Sequence, residues 1–397
     1  DASVTTANAS ANTGGVTMNA TAAADVTFTG GTGADTFAMG ATLTAADTLA
    51  GGDGADTLTV TGAGGALIPT SAAITGVETL TATINGVDTL DANVASFDNI
   101  NILSTAATDD VTITDLTSEV LTLTQTAAGN DIDEVDVSLA DATATDDALT
   151  VNVTNAHTTT VFNVDLIEST GGGIETLTVN LNQGVDLADA DDIQIDVITA
   201  GTALTVTGDA DAELGAGTAL TQTVVNAATA TGDLTINVGA AASTVTGGTG
   251  ADTIAMGANL TTTDTVAGGD GDDTLSATLA SGTVAATITG VETASLVFGD
   301  GDETFSGSNT TGLATIVIAD ASDDNVSLAA LNASTTTIQI ASDDSDGNST
   351  VTVDYAANTS AAHTILIGEV AEGADNLLAG NVTVTDNTGT LTVTDTA

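Results

Sequence analysis

An all-β parallel solenoid is the fold this sequence predicts, and three observations predict it. Short segments of alternating apolar residues, each led by an acid, recur at a nearly constant interval along much of the chain. A nonapeptide rich in glycine and aspartate recurs in two blocks. The apolar content is Ala, Val, Leu and Ile, with Thr filling the alternate positions and only 2 % aromatic residues. Two-residue alternation belongs to strands. A fixed period of roughly 20 residues belongs to stacked coils that bury one continuous, narrow core.

The opening stretch, Asp1 to Ala24, is small and polar, with short strands expected around Val16-Thr17-Met18 and Val26-Thr27-Phe28. The first motif block (28–62) follows. It holds two copies of G-G-x-G-x-D-x-U-x, where U is apolar, at Gly30–Ala38 and Gly51–Thr59. Between them Thr42–Ala50 keeps Asp47-Thr48-Leu49 and has lost the glycines. An acid then leads each strand, at nearly equal steps: Asp35, Asp56, Glu78, Asp98 and Glu119.

From Asp131 to Asn226 the strands continue at looser spacing. This middle reads as more solenoid with longer loops; the alternative is an inserted sandwich-like module. The motif block then returns (245–279), with copies at Gly247–Ala255 and Gly268–Ser276 and a glycine-poor one at Asn259–Ala267. Thr29–Asp56 reappears as Thr246–Asp273. Two tandem copies are therefore expected, 1–228 and a shorter 229–397. In the second, Gly299–Phe305 and Glu372–Leu377 look like worn nonapeptides, and Asp343–Asn348 is a loop rich in oxygen donors. Neither Asn381-Val382-Thr383-Val384 nor Thr390-Leu391-Thr392-Val393 reads as a polar cap. An uncapped strand edge is a template for another chain, so self-assembly is expected.

Each half of the nonapeptide has a physical task. Glycines permit a tight turn that aims several carbonyls at one point. The aspartate adds a hard carboxylate oxygen, and the residues after it form a short strand whose apolar member points inward. Carboxylate and carbonyl oxygens from stacked turns suit Ca²⁺, which takes six to eight oxygens in flexible geometry.

Composition agrees with a need for cations. The 397 residues include 54 Asp plus Glu and no Lys or Arg, a formal net charge of −54. Carboxylates that only repel one another destabilise a compact state, and divalent ions are the simplest counter-charge. Nucleic acid is excluded as a direct partner, because no Lys or Arg exists to neutralise phosphate. Cysteine is absent, which removes disulfides and thiolate metal sites. No apolar run is long enough for a membrane helix, so no membrane insertion is expected. Asp1 carries no basic leader, and the sequence reads as processed or partial.

The four glycine-complete nonapeptides, together with Ile74-Thr75-Gly76-Val77-Glu78-Thr79-Leu80 and its later echo Ile288–Thr293, resemble RTX-type bacterial surface-layer proteins. The resemblance covers Gly30–Leu80 and Gly247–Thr293. It implies secretion, a parallel β-solenoid or β-roll with calcium in its turns, and assembly with copies of itself into a lattice or filament on the cell surface. Cell-surface polysaccharide is a further partner it implies, held through calcium bridges. By that pattern the calcium ligands are Asp35, Asp56, Asp252 and Asp273, with carbonyls of the paired glycines Gly31, Gly33, Gly52, Gly54, Gly248, Gly250, Gly269 and Gly271. Asp53 and Asp270, at the variable third position, join the set. So do Asp47 and Asp264 of the glycine-poor copies, and Asp300 and Asp302 of a worn one. This chain departs from the pattern by spacing its complete copies a whole coil apart instead of in tandem, so a few calcium sites per block are expected.

Enzymatic activity is not expected. The only histidines, His157 and His363, lack zinc-ligand spacing and are expected as solvent-facing turn residues. No nucleophile elbow appears. A paired-carboxylate glycosidase would lack the aromatic platforms that sugars stack on. The leading reading is a structural, calcium-dependent, self-assembling extracellular protein. The alternative is a segment of a large calcium-dependent adhesin that binds a host or matrix ligand.

Overall fold

The computed structural model describes residues 4–20, 24–106, 108–117, 120–125, 131–140, 147–156, 161–168, 173–183, 193–239, 243–280, 282–299, 302–320, 325–341, 350–359, 361–367, 382–387 and 389–395. Among them every strand pairing is parallel, and the helical content is two single 3₁₀ turns, Ala92–Val94 and Gly307–Asn309. Parallel strands need a crossover connection. Here the crossover is another strand of the same coil. The chain divides into two compact units, 1–217 and 218–397.

In unit 1 one sheet runs through Thr17–Asn19, Thr36–Gly40, Thr57–Thr61, Thr79–Thr83, Asn99–Ser104, Val120–Gln125, Ala148–Asn155, Thr176–Gln183 and Ala203–Gly208. Facing segments build a short sheet (Thr6–Asn8, Thr27–Thr29, Thr48–Ala50, Ala73–Thr75) and a longer one from Gly65–Ala66 through Val87–Asp91, Asp109–Leu116, Ile132–Leu139, Phe162–Glu168 and Ile193–Ile198 to Ala212–Leu214. Inward residues stack in register: Leu58, Leu80, Ile100 and Leu121 pair in turn across adjacent strands. Val151, Val179 and Val206 continue the row. Each of these seven is at most 2 % exposed. Full burial of one such side chain contributes about 1.5–3 kcal/mol, and the row makes every coil depend on its two neighbours.

The middle of the chain is solenoid. The sandwich-like alternative is not what forms there: Val120–Gln125, Ala148–Asn155, Thr176–Gln183 and Ala203–Gly208 pair parallel and in sequence. The loosened spacing has a simple origin. Cross-strand neighbours lie 21 residues apart in the motif block (Asp35 and Asp56), but 30 at Thr122 and Asn152 and 28 at Asn152 and Asn180. Longer turns and longer strands stretch the coil while the register of the core row is kept.

Unit 2 repeats the scheme. Thr244–Thr246, Thr265–Ala267, Thr287–Thr289 and Thr310–Thr311 form one stack. Leu234–Asn237, Thr253–Gly257, Thr274–Leu279, Thr293–Phe298, Thr315–Asp320 and Thr337–Ile340 form another, which continues to His363–Ile367 and Leu391–Asp395. Among the described residues no helix is long and apolar enough to cross a membrane.

Candidate metal-binding corners

The aspartates that the sequence singles out sit where the chain turns from one sheet into the next, immediately before a strand. Asp35, Asp47, Asp56, Asp252, Asp264 and Asp273 are all at most 1 % exposed. The local cause is the acid-Thr-apolar order. The apolar residue must face the core and the threonine must face out, so the acid two positions before the apolar one turns back into the corner.

There the carboxylates meet backbone amides one coil away. Asp35 Oδ1 accepts from Val16 N–H at 2.7 Å, and its Oδ2 accepts from Gly31 N–H at 2.6 Å. Asp35 N–H donates to Asp56 Oδ1 at 2.7 Å, and Asp56 N–H donates to Glu78 Oε2 at 2.7 Å. Three successive coils are thus stitched by acids that occupy one structural position. Unit 2 holds the same ladder. Leu234 N–H donates to Asp252 Oδ1 at 2.9 Å, Asp252 N–H to Asp273 Oδ1 at 2.8 Å, and Asp273 N–H to Glu292 Oε2 at 2.9 Å. The opposite corners follow suit. Asp47 accepts from Val26 and Thr44 amides at 2.6 and 2.7 Å, and Asp264 from the amides of Ser243 and Thr261.

Within each ladder one acid differs. Asp35 and Asp252 use both oxygens, the second on the amides of Gly31 and Gly248. Asp56 and Asp273 each keep a buried Oδ2 with no hydrogen-bond partner. The turn backbone differs with it. Gly52 and Gly54 have φ of 109° and 129°, and Gly269 and Gly271 have φ of 121° and 128°, whereas Gly31, Gly33, Gly248 and Gly250 are not in this left-handed region. Only glycine takes such angles without strain. A side chain on Gly52 would also run into the Gly31 carbonyl of the preceding coil.

The two lone oxygens are electrostatically loaded. Burial pushes the Asp273 carboxyl up to about 6, and the nearby Asp252, Glu292 and Asp272 add to it against the Asp252 amide. Burial likewise raises Asp56, with Glu78 and Asp35 contributing. Asp252 is raised by burial against the amides of Gly248 and Leu234. A buried acceptor of this kind calls for a proton or a cation. The donor set suits a hard cation in kind: a carboxylate oxygen beside a glycine-lined turn whose carbonyls come from adjacent coils. In number it is sparse, since no group of three or more His, Asp or Glu side chains gathers closely enough to hold a metal among the described residues.

The remaining candidates scatter. Asp53 and Asp270 are exposed at the turn tips, where their amides donate to the carbonyls of Gly31 and Gly248. Asp302 is exposed and accepts from Asn325 Nδ2 at 3.1 Å. Asp300, Asp343–Asn348, Glu372–Leu377 and His157 lie outside the described residues. Sequence reasoning passed over Glu303, which is 1 % exposed and precedes Thr304-Phe305 as Asp56 precedes Thr57-Leu58. It also passed over Asp88 and Asp109, each fully buried. Burial pushes the Asp109 carboxyl up. The amides of Gly86, Thr105 and Ala106 and the Ser104 hydroxyl outweigh it, and Asp109 stays below the usual carboxylate range. The acid-Thr-apolar triplet, read without the glycines, finds Asp88 and Glu303.

His363 corrects an expectation. It is 1 % exposed instead of facing solvent. Its Nδ1–H donates to the Thr335 carbonyl at 3.0 Å, and its ring lies 4.1 Å from that of Tyr355. Burial pushes the Tyr355 hydroxyl up to about 12. Both belong to the core of unit 2.

No family model matches this chain, and neither a curated protein nor a solved structure is similar to it.

Proposed function

We propose that this chain is a structural protein, a secreted calcium-stabilised β-solenoid that assembles with copies of itself into an extracellular layer or filament. The observation that carries the reading is the pair of buried, unpartnered carboxylate oxygens, Asp56 Oδ2 and Asp273 Oδ2, at the same point of two equivalent ladders. They occur in a chain with no Lys or Arg to neutralise them. Calcium at these corners would satisfy the lone oxygens, with Asp56, Asp273 and the carbonyls of the adjoining glycine turns as ligands. At ~1 mM calcium, a site of ~10 μM affinity contributes about 2.7 kcal/mol by mass action. A few such sites decide whether a self-repelling chain stays folded.

The repeat architecture supports the structural role, because a stack of coils offers extended regular faces. The test is sedimentation and far-ultraviolet circular dichroism of the whole chain in 2 mM Ca²⁺ and in EGTA. Large assemblies and β structure that both diminish in EGTA support the proposal. Identical particles in the two conditions defeat it. A calcium-folded chain that remains monomeric would instead favour the adhesin reading.

A further inference from the structure

The nine-strand sheet of unit 1 has an outer face unlike that of the acidic sheet in the same unit. Its outward positions, read from the alternation of burial, contain no Asp or Glu, in a chain where 54 residues are acidic. Its central row runs Thr81, Asn101, Thr122, Asn152, Asn180 and Thr207, each paired with the next across adjacent strands. The row is hydrogen-bonded from Thr122 to Thr207. Asn152 Nδ2 donates to Thr122 Oγ1 at 3.4 Å, Asn180 Nδ2 to Asn152 Oδ1 at 3.1 Å, and Thr207 Oγ1 to Asn180 Oδ1 at 3.1 Å. These side chains are half-buried by one another and still reach solvent.

We propose that this uncharged hydroxyl-and-amide face is the surface through which one copy of the chain packs on a second. The inference rests on the self-assembly reading above and names its interface. Two arguments select the occupant. The first is charge: a copy at −54 is repelled wherever carboxylates face outward, as on the sheet that carries Asp110, Glu134, Asp136, Asp165, Asp196 and Glu213. A carboxylate-free face lowers that repulsion. The second is hydrogen-bond chemistry. Hydroxyl and amide groups both donate and accept, so an array of them is self-complementary, whereas carboxylates only accept.

Size agrees. Strands about 4.8 Å apart and about 13 Å long give roughly 500 Å² per copy across the sheet, near the ~1,000 Å² total at which specific interfaces begin. One such contact is weak, and repetition through a lattice or filament makes it persist.

The test compares near-isosteric variants of the whole chain in 2 mM Ca²⁺ by sedimentation velocity, with circular dichroism as a check of the coil. Asn101→Asp/Asn180→Asp puts two charges on the face. Gln194→Glu/Gln339→Glu puts two outside it. The expected result is a critical concentration for assembly raised at least about tenfold by the first pair and little changed by the second, with β structure intact in both. Assembly of the first pair at the wild-type concentration would overturn the face while leaving self-assembly standing. Equal loss in both pairs would also overturn it, since total charge and not location would then be responsible. A wild-type chain that stays monomeric in calcium sinks the interface and the self-assembly reading together.

Discussion

The corner at residues 30–56 and the broad acidic sheet over residues 109–213 hold the same side chain in opposite settings. At the corner an aspartate is buried, turned inward and bonded to backbone amides, as Asp35 is to Val16 of the preceding coil and to Gly31 of its own turn. On the sheet, Asp165 and Asp196 point outward and crowd one another. Burial first, and then Asp196, Asp133 and Glu134, push the Asp165 carboxyl up to about 6. Burial and Glu213 raise Asp196 too. One set is mortar between coils; the other is a reservoir of repulsion. In a chain without Lys or Arg, the location of an acid decides whether it stabilises or strains the fold.

Removing a corner acid should have the largest effect. Asp35→Ala strands two backbone amides, and each unsatisfied buried group costs about 1–3 kcal/mol. In denaturant unfolding the expected loss is about 2–6 kcal/mol, the sum over two such groups. An effect below about 0.5 kcal/mol, the range of ordinary surface substitutions, would mean the ladder is ornamental.

A sharper contrast lies within the corners. Asp273→Asn keeps the acceptor for the Asp252 amide and replaces the lone oxygen with a donor. In EGTA this variant should match or exceed wild-type stability, and it should lose most of the calcium-induced rise, about 2.7 kcal/mol per site at a hundredfold excess over Kd. Asp35→Asn, whose two oxygens are both occupied by amides, should be destabilised in EGTA and still respond to calcium. Identical behaviour of the two variants would erase the distinction between satisfied and lone oxygens.

Acid should probe both settings at once, in a smaller but signed way. Asp56, Asp165 and Asp273 have carboxyls raised above the ordinary value of 3.8. Their protonated forms favour the folded state, so their contribution is fully present below the ordinary value and fades as pH rises. For Asp165 and Asp273 it is lost as pH passes through about 6. Asp109 is lowered and works the other way, supporting the fold above the ordinary value and withdrawing that support as it protonates. The metal-free chain should therefore melt at a higher temperature at pH 5 than at pH 7.5, and turn over below pH 4. A melting temperature that only falls with acid would indicate that the lone oxygens already have donors.

Asp165→Asn should be the mildest change, within about 0.5 kcal/mol, as for outward substitutions in general. Whatever gain it brings should shrink with added salt, because exposed repulsion is screened over about 8–10 Å. A loss comparable with that of Asp35→Ala would erase the difference between corner and sheet.

Much of this arrangement is legible in the chain itself. The nearly equal steps between Asp35, Asp56, Glu78 and Asp98 announce the coil, because each acid opens a strand of the next layer. The core row follows from alternation. The middle blurs only because turns lengthen to 27–30 residues between partners, which disturbs a count along the sequence and not the register in space. What a single strand cannot reveal is who meets an aspartate. The amides on Asp35 and Asp56 come from 19 and 21 residues upstream, and glycine spacing alone suggests a turn-borne ligand instead. His363 misleads for the same reason, since Thr335 reaches it from 28 residues upstream and Tyr355 from the strand just before it. Counting from the glycines also selects Asp300 and Asp302 over Glu303; counting back from the strand selects the buried acid.

The most direct measurement is a calorimetric calcium titration of the metal-free chain beside Asp56→Asn/Asp273→Asn, with melting temperatures taken at both ends. If a divalent ion completes these corners, the wild-type chain binds calcium and melts higher once loaded, while the double variant loses at least about a tenfold share of affinity and gains stability without metal. A wild-type chain that takes up no calcium heat and melts unchanged, or a double variant whose titration overlays it, would contradict the account.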